Sequence, residues 1–384
     1  MGCEVTIDDI CSSVCSGGTP QKSNSEYYEN GNIPWLNTKE ISFNRIRKTK
    51  QFITEAGLRQ SSAKWVRANS VVVAMYGATA GKVAITKIPL TTNQACCNLE
   101  VDKEVADYRY IYYWFQNQYS RVLNLANGGA QQNLNAKTIK AMEIKLPNLA
   151  LQQRIANCLS AIDDEIELNI ELNGYLEKLV SLEFSRRFKA STPTIELGKV
   201  LSISTESIKP QEHAGEIWEH YSIPAYDENR QPLFELSDGI KSNKYAIDAN
   251  CILISKLNPA TKRIWMPSCT SEHSVCSTEF IVYKPKNPRY KSFYYAAIDS
   301  QAFTDFLIAH VTGSTGSRQR TQPKATLTYP MPNPGHDAIE GFCAFADPIY
   351  KQIQSNKLES KWLVSLRDAL LPKLMSGEID RKST

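Results

Sequence analysis

The chain has 384 residues, 42% of them hydrophobic and 22% charged, with a net charge of +4, ten cysteines and five histidines. That length predicts two domains, and the composition is that of a globular protein without an apolar run of the ~20 residues a membrane span needs. The start "MGCEVTIDDIC" has acids where a secretory signal needs a basic end and an apolar core, and it matches a lipidation signal only loosely, so the cytoplasm is expected. The cysteines form no C-x-x-C pair and the histidines no H-E-x-x-H, which predicts small core thiols and no metal site.

Along the chain, the first informative stretch is "KEISFNRIRKTK" (39–50), five basic residues against Glu40 alone, a pattern suited to neutralising phosphates. "SVVVAMYGATAGKVAI" (70–85) then opens like a phosphate-binding loop. Such a loop needs four residues between its glycines, Ser or Thr after the lysine, and a following helix. Here three residues separate Gly77 from Gly81, Val83 follows Lys82, and "KVAITKIP" alternates and ends at Pro89. The reading is strand, turn, strand, with no nucleotide hydrolysis. A helix is expected over 107–126. Beyond "NGGAQQN" (127–133) and "KLPN" (145–148), a long helix begins near Ala150. In it Ile155, Leu159, Ile162, Ile166, Leu176 and Val180 recur at spacings of three and four, a coiled-coil seam on which Asn169 and Asn173 also fall. At 1.5 Å per residue it is ~57 Å long, more than the ~34–36 Å of one duplex turn. Its acidic "DDE" (163–165) reads as a solvated face.

The chain then repeats itself. "ANSVVVAMYGATAGKVAI" (68–85) aligns with "ANCILISKLNPATKRIWM" (249–266) at an offset of 181. "TNQA" (92–95) answers "STEF" (277–280), and Gly128, Pro147 and Asn148 answer Gly313, Pro332 and Asn333, all at 185. A second helix is expected over 290–310, and a second seam follows with Ile349, Ile353, Asn356, Ser360 and Leu363. Each seam carries a polar residue among apolar ones, a device that fixes register. The second copy loses both glycines of the lysine loop and keeps a basic residue, Arg263 for Lys82. Asn, Gln, Lys and Arg, the side chains that make base contacts, cluster at loops of both copies: "WLNTK", "TNQ" and "GGAQQNLN", then "LNPATKR" and "GSRQR".

Together with "SGGTP" (16–20), "IPWLNTKEI" (33–41), "IKLPNLALQQRIANCLSAIDDEIELNIELNGYLEKL" (144–179) and "LRDALLPKLMSGEI" (366–379), these segments in this order give a chain that resembles, over nearly its whole length, the specificity (S) subunit of type I restriction–modification enzymes. The resemblance implies an α+β fold with two mixed α/β target recognition domains in a pseudo-twofold arrangement, separated by two long antiparallel coiled-coil helices. Domain bounds of 1–149, 150–189, 190–335 and 336–384 follow. It implies that each recognition domain reads half of a split double-stranded DNA target and that this chain has no catalysis or bound cofactor of its own. Two modification (methyltransferase) subunits would use S-adenosylmethionine, and restriction (translocase and nuclease) subunits ATP and Mg2+. The alternative is a related system whose single partner both methylates and cuts. The second copy departs from the pattern, lacking the Gly-Gly-Thr-Pro of the first and answering "LQQRI" with "IEGFC".

The residues assigned to DNA contact are Lys39, Arg45, Arg47, Lys82, Gln131, Gln132 and Asn133 in the first copy. In the second they are Lys262, Arg263, Arg318, Gln319 and Arg320. Spacing and partner contact are assigned to Ile162, Ile166, Asn169 and Leu176 on one helix and Ile349, Ile353, Asn356 and Leu363 on the other.

Overall fold

The structure, a computed structural model, describes residues 3–127, 134–188, 192–312 and 319–378. It divides into two compact units, Met1–Ile166 with Trp362–Thr384, and Glu167–Lys361, so the boundary falls inside both long helices.

In the first unit a five-stranded sheet runs in the order Cys11–Ser16, Cys96–Val101, Val71–Ala74, Val83–Thr86, Asn44–Ile46. Val71–Ala74 is buried at every position, which is why it reads as a continuous apolar run rather than an alternating one. Val71 and Val73 face a core that includes Tyr110, Ile111, Phe115 and Val122 of the helical layer. Val72 and Ala74 face Leu36, Ile41 and Leu90 on the other side. A second sheet runs Gln51–Ile53, Ile33–Leu36, Leu90–Thr92, Trp65–Val66, with Ile33–Leu36 parallel to Leu90–Thr92. The globular part is closed by its first and last strands, Cys3–Thr6 and Glu143–Leu146, paired antiparallel.

The second unit repeats this plan with two differences: its first sheet, Leu201–Ser204, Phe280–Pro285, Ile252–Ser255, Ile264–Trp265, has no fifth strand, and its second sheet gains an edge strand, Ser207–Ile208. Val72↔Ala84 and Val73↔Val83 in the first hairpin become Leu253↔Trp265 and Ile254↔Ile264 in the second, all at the 181 offset. The parallel pairs Trp35↔Thr91 and Leu36↔Thr92 become His220↔Val275 and Tyr221↔Cys276. The closing pair becomes Thr194–Glu196 with Pro330–Pro332. The expected strand–turn–strand at the lysine loop is therefore what the chain forms, twice.

Each helix expected as one piece is two: Tyr108–Asn117 and Tyr119–Asn127, then Lys291–Ile298 and Gln301–Ala309. In the second case Ser300 starts a new helix by accepting from the Phe303 amide. The first breaks at Gln118, whose backbone leaves the helical region.

The long helices span Leu149–Arg187 and His336–Met375. The Asn148 side chain caps the first by accepting from the Leu151 amide at 2.9 Å, and Glu183 pairs with Arg186 and Arg187 at its end. In the second unit Asn169 donates to Glu359 and Asn173 accepts from Asn356. One number rises as the other falls, so the helices run antiparallel there. In the first unit Ile155, Ala156 and Leu159 share a core with Leu371.

The solvated-face reading of 163–165 holds for Asp164 and Glu165, which are exposed, and is corrected at Asp163. Asp163 is buried, accepting from the Tyr113 hydroxyl at 2.5 Å and from Arg367 Nη1 at 2.9 Å. Ile162 and Ile166, placed on the seam, are half-buried beside it, as are Leu176 and Ile349 on theirs. Asn169, Asn356, Ile353 and Leu363 are buried. Among the described residues no helix is long and apolar enough to cross a membrane.

Candidate nucleic-acid interface

Four loops of the first unit meet beside the sheet edges. The Gly17–Gly18 turn lies flat on its neighbours: Gly18 donates to Thr92 O and its own carbonyl accepts from Trp35 Nε1. A Cβ on Gly17 would stand 2.2 Å from Thr92 O, and one on Gly18 2.2 Å from Ala63 N, so only glycine fits. Asn93 donates to Leu36 O and Met75 to Ala95 O, which brings the 36–40, 75–82 and 92–95 segments together. The Thr79 hydroxyl ties the lysine loop to Thr38 O. That loop turns through Gly77 and Gly81 at positive φ and presents Tyr76, 45% exposed. Tyr76 sits by an open cleft lined also by Ser16, Asn135 and Lys137. Gln94 is exposed at the tip of its loop, accepting from the Thr19 hydroxyl.

On this surface Lys39 is exposed, and Lys82 reaches the Ser42 hydroxyl at 3.4 Å. Arg47 is exposed. Arg45 points the other way. Its side chain is 6% exposed, paired with Asp164 of the long helix and donating to Ser160 O. Arg45 therefore anchors the globular part to the helix, a role invisible from a basic run. Gln131, Gln132 and Asn133 lie outside the described residues, as does Arg318.

The second unit builds the same edge from 256–263, 277–280 and 319–321. Lys256 donates to Glu279 O, Thr321 to Lys256 O, and Asn258 to Gln319 O. Its basic residues carry acids. Lys262 pairs with Asp299 at 2.7 Å, Arg263 forks onto Asp227 at 2.6 and 2.8 Å, and Arg320 forks onto Glu279 at 3.0 Å twice. Burial raises the Asp299 carboxyl above its ordinary value against the pull of Lys262, and the hydrogen bond to Glu279 raises the Arg320 guanidinium.

Arg263–Asp227 stands where the first unit has Lys82–Ser42, at offsets of 181 and 185. In both copies the basic residue ties the hairpin loop to the segment after the parallel strand, capped by Asn37 in one and Ser222 in the other. The acidic partners Asp227, Asp299 and Glu279 were missed by the sequence reading. The "STEF" match to "TNQA" was the one signal that could have pointed to Glu279.

Among the described residues no group of three or more His, Cys, Asp or Glu could hold a metal ion. The arrangement in each unit is a rim of polar and basic side chains on short loops fixed by backbone hydrogen bonds, the architecture in which binding residues commonly stand.

A family model described as the type I restriction modification DNA specificity domain matches residues 3–178. The chain is 32% identical over 152 residues to the EcoR124I/EcoR124II type I restriction enzyme specificity subunit of Escherichia coli, a match covering 38% of this chain and 37% of that protein. It thus spans little more than a third of that relative's length. To the MjaIX type I restriction enzyme specificity subunit of Methanocaldococcus jannaschii it is 25% identical, across 97% of this chain and 92% of that one. The fold is shared with the crystal structure of a type I restriction–modification system S subunit from M. genitalium, at a TM-score of 0.59, 19% identity and coverage of 97% and 95%. Matched over residues 3–178 by the family model, aligned end to end with a specificity subunit and folded like a solved one, the chain carries the type I restriction modification DNA specificity domain and is similar over its whole length to type I restriction–modification specificity (S) subunits.

Proposed function

We propose that this chain is the non-catalytic, sequence-reading component of its complex, each globular part contacting one half of a bipartite duplex target. The observation that carries this is the duplicated rim: corresponding loops, on a hairpin in the same register and on matching parallel strand pairs, bring polar and basic side chains to one edge of each unit. Two linked readers bind bivalently, so the second half-site is met at high effective concentration and affinity depends on spacing. The long helices set that spacing and carry two modification subunits. Leu168, Leu172, Tyr175, Leu179 and Leu182 stay exposed at alternating spacings of four and three, a stripe that an amphipathic partner helix would cover. S-adenosylmethionine belongs to the modification subunits, ATP and Mg2+ to the restriction subunits.

The test is to co-express the chain with its modification subunit and map methylated adenines by single-molecule sequencing. A split motif with a fixed gap is expected. Methylation with no sequence rule, or at one continuous motif, would refute the proposal.

A further inference from the structure

We propose that Arg320 and Glu279 form a guanine-reading pair in the second unit; this rests on the DNA-reading function above and assigns it a base. Arg320 gives its Nε and one Nη2 hydrogen to the two carboxylate oxygens of Glu279, at 3.0 Å each. Of the five N–H groups of a guanidinium, this leaves the end-on edge of Nη1 and Nη2. That edge is the fork that matches O6 and N7 of guanine in the major groove. The Arg320 side chain is 43% exposed, so the edge is within reach of a ligand.

Both partners are held. Glu279 donates its amide to the Ser277 hydroxyl, and its carbonyl accepts from Lys256. Arg320 bridges to Leu257, and its carbonyl accepts from the Thr312 hydroxyl. A fork fixed before binding loses little freedom on contact. The pair is also a poor phosphate site. Its charges cancel, so it displaces few counterions, and the carboxylate would repel a phosphate held beside it. What remains is directional donation, which is what base reading needs.

The first unit supports the same position by contrast. Glu279 answers Gln94 at the 185 offset, and Gln94 is oriented by the Thr19 hydroxyl. The two units place a carboxylate–arginine pair and an amide at one equivalent loop tip, as two readers of different half-sites would.

The experiment uses the co-expressed chain and modification subunit, with methylation mapped genome-wide and duplex binding titrated against salt. Arg320→Ala, Arg320→Lys and Glu279→Ala should each relax one guanine in one half of the motif and leave the other half intact. The preference lost should be about 5- to 140-fold, the equivalent of a 1–3 kcal/mol base contact. The salt slope should not change when both charges are removed together, Arg320→Ala with Glu279→Ala. An unaltered motif with a slope reduced by about one would mean a phosphate contact and overturn the proposal. If Arg320→Ala abolishes all methylation, Arg320→Lys decides: retained guanine preference overturns the fork, lost preference supports it. A wild-type complex without a split motif would overturn the DNA-reading function itself, and the pair with it.

Discussion

The Asp163 carboxylate offers a stability experiment with a defined order of outcomes. Its side chain is 11% exposed and that of Arg367 15%, so both charges are largely removed from water. Asp163 holds two partners, the Tyr113 hydroxyl and Arg367. Arg367→Met leaves a buried carboxylate with the hydroxyl alone, and breaking a buried pair from one side costs about 3–5 kcal/mol. Adding Asp163→Leu removes the orphaned charge, so the cost falls to that of a stranded Tyr113 hydroxyl, about 1–3 kcal/mol. Adding Tyr113→Phe removes that too and brings the triple variant within about 1 kcal/mol of the starting protein, since a packed apolar cluster replaces a buried ion pair at little loss. Urea unfolding followed by circular dichroism reads all three. The single variant must be the least stable. If Arg367→Met costs under about 1 kcal/mol, or the triple variant is worse than the single, the carboxylate is not buried as described.

The remaining expectations concern the rim, the helices and pH. Gly18→Ala should lower the unfolding free energy read from urea denaturation by about 1–3 kcal/mol through overpacking against Ala63, whereas Gly77→Ala, with nothing within 4 Å of its Cβ, should cost about 1–2 kcal/mol through its positive φ alone. Lys39→Ala and Lys82→Ala in the assembled complex should each lower the salt slope of DNA binding by about one and leave the methylated motif unchanged. Inserting about one helical turn after Asn169 should change the gap between half-sites but neither half-sequence, as methylation mapping would show. Burial lowers the His220 pKa below 6.5 despite its contact with Glu235. The unfolded chain therefore takes up that proton first. The contribution of His220 is complete above about pH 6.5 and declines below it, and His220→Gln should flatten that part of the profile of urea midpoint against pH.

The strands at 71–74 and 252–255 were legible because both faces are covered and the residues, Ser255 apart, are apolar. The duplication was legible because the loops kept their order. Asp163 was not, and the reason is geometric. Leu159, Ile162 and Ile166 are spaced three and four apart; Leu159, Asp163 and Ile166 are spaced four and three. Either fits a seam, and hydrophobicity favours Ile162. What places Asp163 inside is Arg367, 204 residues away. The pairing of Arg45 and Arg263 with acids escaped the sequence for the same cause. A basic residue in a loop reads as free until its acid is known, and Asp164 and Asp227 lie far along the chain. The split at Gln118 has neither Gly nor Pro to announce it.

The first unit draws on both ends of the chain, which gives its assembly a timetable. The strands that close its globular part are complete once residue 146 has been made. Arg367 follows Asp163 by 204 residues, about 10–40 s at 5–20 residues per second. For that interval the nascent chain holds a globular module whose helix displays Asp163 without Arg367, and a core around Leu159 that Leu371 has still to join. The ribosome therefore releases the two halves of this unit at different times, and any helper that shields the open helix acts within that window.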